Sequence, residues 1–296
     1  MTIRDLYPTR SGREPRMIYR TEDQVVYGTA ADGPIDAETL DEYNDNGFLN
    51  VEQLVDATEL AGYQNELNRL LVDESLDDDE RVVREKDSHE IRSIFEVHKI
   101  SQLFGDLIAD ERLAGRARQI LGSDVYIHQS RVNYKPGFYG NPFYWHSDFE
   151  TWHAEDGMPR MRAVSLSLAL TDNHAYNGGL MIMPGSHKTF VSCVGETPED
   201  HYRQSLKQQE IGTPDETSLS VLAEKHGIEL FTGPAGSATM FDCNCMHGSN
   251  GNITPFPRSN LFVVFNSVEN TCIEPFAAPE RRPHFIGARD FTPVKA

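Results

Sequence analysis

Arg162-Ala-Val-Ser-Leu-Ser-Leu-Ala-Leu170 alternates strictly: Val164, Leu166, Leu168 and Leu170 fall on one side of an extended chain, Ser165, Ser167 and Ala169 on the other. Successive side chains of a strand point to opposite faces, so the pattern predicts a β-strand with an apolar face and a face of small residues. The same texture begins at Asp124. Val125 to Tyr134 places Val125, Ile127, Gln129, Arg131 and Asn133 on one face by period two, and further strands are expected at Leu180–Met183, Ile228–Phe231, Ser237–Asp242 and Leu261–Val268. Helical signals come earlier. Asp56 and Glu59 form a capping-box pair ahead of Leu60, Tyr63, Leu67 and Leu70, and Asp110 to Leu121 reads as a helix stopped by Gly122. Thr213-Pro214-Asp215-Glu216 predicts one more helix start, with Thr213 as N-cap and the proline at the first helical position, followed by Leu219 and Leu222. Short strands with Gly/Pro turns, preceded by helices, predict a mainly β fold with flanking helices, a sandwich or barrel backed by a helical layer. No repeat or long linker interrupts it. The chain is read as one domain over 1–296: an extended lead-in and helical layer over 1–123, a β core over 124–275 and a tail over 276–296.

Composition narrows the partners. The 296 residues carry 46 acidic against 27 basic side chains, a net charge of −19, which argues against nucleic acid and anionic membrane as partners. The stretch Asp73–Glu90 holds nine of the acids, with Arg81, Arg84 and Lys86 as counter-charges, and reads as a solvated loop or helix face, with a lid as the alternative. The N-terminal stretch, rich in Arg and Pro, has no apolar run of the secretory kind, and apolar stretches such as Leu261–Phe265 are too short to span a membrane. Four cysteines, Cys193, Cys243, Cys245 and Cys272, make no disulfide scaffold in a chain of this length. A cytoplasmic protein with reduced thiols is expected.

The chemistry concentrates in two segments. In Phe143-Tyr-Trp-His146-Ser-Asp148, the histidine and aspartate are two apart, so on an extended chain both point the same way. A third ligand is supplied by Asp242-Cys-Asn-Cys-Met-His247-Gly248, after a distant strand. Two histidines and one carboxylate on one face of an octahedron leave open positions for an oxoacid and O₂, the arrangement of non-haem Fe(II) oxygenases. A rival set is Cys243, Cys245 and His247, which on a strand would alternate onto one face and hold zinc. Arg258 follows His247 by eleven positions, where a guanidinium can clamp the remote carboxylate of an oxoacid bound to iron. Ser165 and Ser167 either line such a pocket or give packing clearance. His153, His174, His187, His201 and His226 have no comparable pairing and read as surface or hydrogen-bonded structural residues.

From Asp41-Glu-Tyr-Asn-Asp-Asn-Gly-Phe48 to Val268, including Asn177-Gly-Gly-Leu-Met-Ile-Met-Pro-Gly-Ser-His-Lys188, the chain resembles the phytanoyl-CoA-hydroxylase-like superfamily of Fe(II)/2-oxoglutarate dioxygenases. Within it, Phe143-Tyr-Trp-His-Ser-Asp-Phe-Glu-Thr-Trp-His-Ala-Glu-Asp-Gly-Met-Pro159 is similar to the signature of the ectoine hydroxylases. The resemblance implies a double-stranded β-helix (jelly-roll, cupin-like) core and a homodimer. It also implies conversion of ectoine, 2-oxoglutarate and O₂ to 5-hydroxyectoine, succinate and CO₂. It makes His146, Asp148 and His247 the iron ligands, and puts Arg258 on the distal carboxylate of 2-oxoglutarate with Phe143, Asn133 and Ser165 nearby. Gln129, Arg131, Thr151 and Trp152 would line the ectoine pocket. Ectoine pairs a flat amidinium cation with a carboxylate; an indole face suits the first, worth about 1–2 kcal/mol when desolvated, and an arginine fork the second. The alternatives are a hydroxylase of another small substrate such as proline, and a catalytically silent cupin-like binder. With neutral ectoine and anionic 2-oxoglutarate as ligands, the acidic excess is unrelated to capture and reads as a surface suited to a saline cytoplasm.

Overall fold

A central position in a broad antiparallel sheet is what the alternation at 162–170 produces. The computed structural model describes residues 4–12, 14–85, 90–206 and 211–295. Its strands run β1 (Met17–Tyr19), β2 (Phe48–Val51), β3 (Val82–Arg84), β4 (Ile91–Phe95), β5 (Val125–Lys135), β6 (Phe143–His146) and β7 (Ala163–Ala169). They continue as β8 (Leu180–Ile182), β9 (Thr189–Val191), β10 (Glu229–Phe231), β11 (Ala238–Asp242), β12 (His247–Ser249) and β13 (Arg258–Ser267). A seven-stranded sheet has the order β2-β11-β7-β13-β5-β4-β3, a four-stranded sheet β10-β8-β12-β6, and β1 pairs with β9. The pairings are antiparallel throughout. Two such sheets with helices against one of them make the expected mainly β fold with flanking helices, a double-stranded β-helix.

The two faces of the large sheet separate two cores. Leu166, Leu168, Leu261 and Val263 pack with Leu67 and Leu70 of helix α2 and with Phe104 and Leu107, whereas Phe262, Val264, Phe241 and Ile182 form the core between the sheets. The helical layer is α1 (Ala37–Asn46), α2 (Ala57–Leu71), α3 (Val97–Ile100), α4 (Gln102–Ala109) and α5 (Arg116–Leu121). Helix α2 starts at the expected capping box: Asp56 accepts from the Thr58 and Glu59 amides while the Glu59 carboxylate accepts from Asp56 N. Each such cap contributes about 1 kcal/mol. The expected helix at 110–121 is a π-helical turn followed by α5, and it ends at Gly122 with φ 59°. Among the described residues, no helix is long and apolar enough to cross a membrane.

Four expectations change. Strand β5 does not keep one face: its register against β13 skips His128, with Val264 opposite Gln129 and Phe265 opposite Ile127. This bulge turns Val125 and Ile127 towards the helices and puts Gln129, Arg131 and Asn133 on the face towards the second sheet. The second change concerns the acidic stretch, which is neither helix nor free loop over its described part. Val82–Arg84 forms the edge strand β3 against β4, and Glu85 is buried on Arg92; residues 86–89 lie outside the described residues. Third, the helix after Pro214 is α8 (Glu216–His226), reached after α6 (Asp148–Thr151) and α7 (Tyr202–Ser205), and its cap is Asp215 rather than Thr213. Asp215 accepts from the Ser218 amide at 3.0 Å, a bond that a carboxylate next to the first turn makes better than a hydroxyl two residues farther back. Fourth, strands β2, β3 and β4, from before residue 124, belong to the large sheet.

The turn that follows the His146–Asp148 segment is tight. Gly157 has φ 79°, and a Cβ there would lie 1.9 Å from the Ile273 carbonyl oxygen. A left-handed backbone alone costs a residue with a Cβ about 1–2 kcal/mol. Gly157→Ala is therefore expected to lose more than that, read as a lowered urea midpoint with an unchanged slope.

Candidate metal centre and anion pocket

Strands β6 and β12 pair so that His146 stands directly opposite His247. Their rings lie 4.2 Å apart between centroids. Ser147 continues the extended backbone (φ −106°, ψ 127°), and Asp148 opens helix α6, so the two-residue spacing does return the carboxylate to the histidines' side. His146 Nε2 lies 3.6 Å from Asp148 Oδ1, and His247 Nε2 lies 3.8 Å from Asp148 Oδ2. Among the described residues, this is the one cluster of three whose ligand atoms all fall within 4.8 Å of one another.

The donor chemistry fits a divalent metal. His146 Nδ1 is bonded to the Tyr144 carbonyl at 2.6 Å and His247 Nδ1 to the Cys245 carbonyl at 3.0 Å. A carbonyl only accepts, so each Nδ1 carries the proton and each Nε2 presents its lone pair to the carboxylate side. Burial and the neighbouring His146 push the His247 imidazole down to about 4, keeping it neutral at physiological pH. Burial works to raise the Asp148 carboxyl, but His247, His146 and Arg131 outweigh it and hold it well below the usual carboxylate range. Ser165 Oγ donates to Asp148 Oδ2 at 3.3 Å. Neutral imidazoles and an ionised carboxylate are the protonation states that a metal requires.

The large sheet supplies the rest of the cavity by register. Across β5 and β13, Lys135 faces Arg258, Asn133 faces Asn260, and Arg131 faces Phe262; Ser167 of β7 continues that last row. Arg131, Asn133, Phe143, His146, His247 and Arg258 thus line one cavity, with Lys135 and Arg92 beside them. Arg258 is held by neutral partners: its Nε donates to Asn173 Oδ1 at 3.0 Å, and with the Asn260 amide turned so that its oxygen faces the guanidinium, that oxygen accepts from Nη2 at 3.2 Å. Among the described residues, no carboxylate pairs with Arg131, Lys135 or Arg258. Burial alone pushes the Arg258 guanidinium down to about 10, and burial with Arg282 and Arg92 nearby does the same for Arg131. Burial with Arg258 and Arg92 pushes the Lys135 ammonium down to about 6. Two buried guanidiniums and a lysine that an incoming anion would hold in its charged form, none of them ion-paired to a carboxylate, make a site for an anion with more than one negative charge.

The remaining expected residues are placed by other contacts. Gln129 accepts from Arg131 Nη1 at 2.7 Å and donates to the Ile286 carbonyl at 2.6 Å. Thr151 Oγ1 and Arg131 Nε are buried with no protein partner. Trp152 is 2% exposed and packs edge-on against His128, 5.4 Å between centroids. No spacing in the sequence singles out Lys135 or Arg92; only the ladder brings them in.

The zinc alternative fails on geometry. Residues 243–246 form a turn between β11 and β12, so Cys243, Cys245 and His247 do not alternate on a strand. Cys245 Sγ points at the Gly47 carbonyl, 3.2 Å away. Of the histidines outside the pair, His153 bonds to the Met158 carbonyl and stacks on Phe276, and His187 bonds to the Asn44 carbonyl. All four cysteines are free and buried, and burial pushes the Cys243 and Cys245 thiols up. Raised thiols stay protonated and slow to react. A disulfide reagent is expected to leave the four thiols of the native protein largely unmodified and to titrate all four after unfolding.

A family model described as phytanoyl-CoA dioxygenase (PhyH) matches residues 43–260. A protein named ectoine dioxygenase from Streptomyces avermitilis is 62% identical over 298 residues, covering 99% of each chain. The crystal structure of EctD from S. alaskensis with 2-oxoglutarate and 5-hydroxyectoine superposes with a TM-score of 0.89 at 47% identity, over 98% of this chain and 97% of that one. The same protein with bound Fe gives a TM-score of 0.89 at 46% identity, over 99% and 98%.

Proposed function

The chain belongs to the phytanoyl-CoA dioxygenase family, and from that premise we infer that it is a non-haem Fe(II)- and 2-oxoglutarate-dependent dioxygenase that hydroxylates ectoine to 5-hydroxyectoine, with release of succinate and CO₂. The observation that carries this is the pairing of a His–Asp–His cluster with an anion pocket on the same cavity wall. When bound, Fe(II) with 2-oxoglutarate supplies the activation of O₂ needed to attack an unactivated C–H bond, which no side-chain acid or base can do.

The chain's own residues then divide the work. His146, Asp148 and His247 hold the metal through two Nε2 atoms and one carboxylate, and the carbonyls of Tyr144 and Cys245 fix both rings. Arg258 receives the distal carboxylate of 2-oxoglutarate, supported by Lys135, Asn133, Phe143 and Asn260. Ser165 steadies Asp148 from below. Gln129, Arg131, Thr151 and Trp152 form the ectoine side. Arg131 takes the substrate carboxylate, and Gln129 keeps its guanidinium aimed. The unpartnered Thr151 Oγ1 is a further polar contact for ectoine. Trp152 backs this wall against His128. Between them, the buried cavity keeps water from the reacting carbon.

The enzyme is further proposed to act as one domain over 1–296, because its N-terminal Arg10 and C-terminal Arg282 both end in buried ion pairs next to the site. A cytoplasmic location fits its four reduced, buried cysteines. A homodimer accords with the exposed Tyr139, Tyr176, Ile253 and Phe256.

Anaerobic loading with Fe(II) and 2-oxoglutarate, followed by O₂, is expected to give succinate only when ectoine is added, with a product one oxygen atom heavier. Stimulation by proline alone would point to another hydroxylase, and no turnover to a silent binder. Asp148→Ala is expected to abolish that succinate with an unchanged melting curve. Arg258→Ala is expected to raise the KM for 2-oxoglutarate by roughly a hundredfold, the scale of a lost buried charge pair, while the KM for ectoine moves far less; equal rises would make Arg258 a structural residue.

A further inference from the structure

Outside the metal pocket, a fully buried charged cluster is built on Arg10. Its Nε and Nη2 form a fork on Glu150 at 3.0 and 2.7 Å, and its Nη1 donates to Glu155 at 2.6 Å and to Thr197 at 2.9 Å. Thr9 Oγ1 adds a bond to Glu150 Oε1 at 2.6 Å. The arginine and glutamate side chains are buried, with exposures of 0%, 1% and 3%. Arg10 also sits at φ 53°, in the left-handed region that a residue with a Cβ avoids unless its surroundings enforce it. Desolvated charges and a strained backbone are both unfavourable, and a surface strap needs neither.

What the cluster fixes is the turn between its two carboxylates. Glu150 and Glu155 bracket Thr151 and Trp152, on the helical segment that begins at Asp148. Gly212 closes the cluster from another side: a Cβ there would stand 2.5 Å from Arg10 Nη2 and 2.9 Å from Glu150 Oε2. Thr197, after accepting from Arg10, donates to the Ala277 carbonyl at 2.7 Å. One guanidinium therefore ties the N-terminal segment, the turn after the His-x-Asp pair, the chain at 197 and the tail. None of its hydrogen bonds reaches β5 or β13, which carry the Arg258 end of the cavity.

We propose that Arg10 is a positioning residue for the ectoine wall: it touches neither substrate nor metal, and through Glu150 and Glu155 it sets Thr151 and Trp152 against Arg131. The inference rests on the ectoine reading given above. A residue acting on that wall alone affects one substrate and spares the other, whereas a purely structural arginine affects both alike.

The test uses full-length Arg10→Lys and Arg10→Gln, loaded anaerobically with Fe(II), with ectoine and 2-oxoglutarate affinities measured separately by calorimetry. Lysine keeps the charge but cannot form the fork on Glu150 while reaching Glu155. Both variants are expected to bind ectoine roughly tenfold more weakly or worse, to hold 2-oxoglutarate within about twofold of wild type, and to release more succinate per hydroxylated product. Where Arg10→Gln does not fold, Thr9→Val, which removes the hydroxyl on Glu150, replaces it and is expected to show the same selective loss in smaller measure. Folded variants that bind ectoine as wild type does, or that lose both ligands equally, overturn the assignment of Arg10 alone. A wild-type protein that releases no succinate on addition of ectoine overturns the substrate and this inference together.

Discussion

Two histidines facing each other across one antiparallel ladder are the constraint on which the rest of the site depends. The register that puts His146 opposite His247 is a property of β6 and β12, and a slip of one residue would send one ring to the other face of the sheet. Once the register holds, the carbonyls two residues upstream of each histidine fix its tautomer. The extended Ser147 then has only to deliver Asp148 into the gap between the two Nε2 atoms. Three side chains from two segments, about a hundred residues apart in sequence, thus meet without any of them being placed by a flexible loop.

The large sheet solves a different electrostatic problem. A chain with a net charge of −19 repels a dianion at long range. Inside the cavity the sign is reversed, because Lys135 and Arg258 are partners across β5 and β13 and Arg131 lies two rows along the same face. Neutral amides from Asn173 and Asn260, rather than carboxylates, hold Arg258. An amide orients a guanidinium without cancelling its charge. The pocket therefore keeps its cations available for a ligand, at the expense of leaving them desolvated and lowered in pKa.

Much of this was legible in the sequence wherever the signal was local. The spacing of His146 and Asp148, the capping box at Asp56 and the alternation at 162–170 are each dictated by neighbours a few residues away, and each takes the form that its pattern implies. Long-range terms decide what the sequence leaves open. The bulge at His128 exists because β13 pairs with β5 over ten residues, and nothing in 125–134 announces it. Val82 and Val83 form an edge strand within an acidic stretch because β4 offers a free edge, which outweighs the local excess of charge. Trp152 reads as a cavity residue among polar neighbours, yet His128, brought in by that bulge, gives it a packed partner. Arg10, in an N-terminal stretch without periodicity, has no sequence signal at all.

The Arg10 cluster also sets an order of events during synthesis. Its partners Glu150, Glu155 and Thr197 lie 140, 145 and 187 residues further along the chain. The N-terminal arginine leaves the ribosome first and waits for most of the protein before it can be neutralised. Contacts of such long sequence separation form late, because the loop they close carries the largest entropy loss. A nascent chain can pair β5 with β4 early, but β13 with Arg258 emerges after all three partners of Arg10, so the anion pocket is the last part of the cavity to be completed.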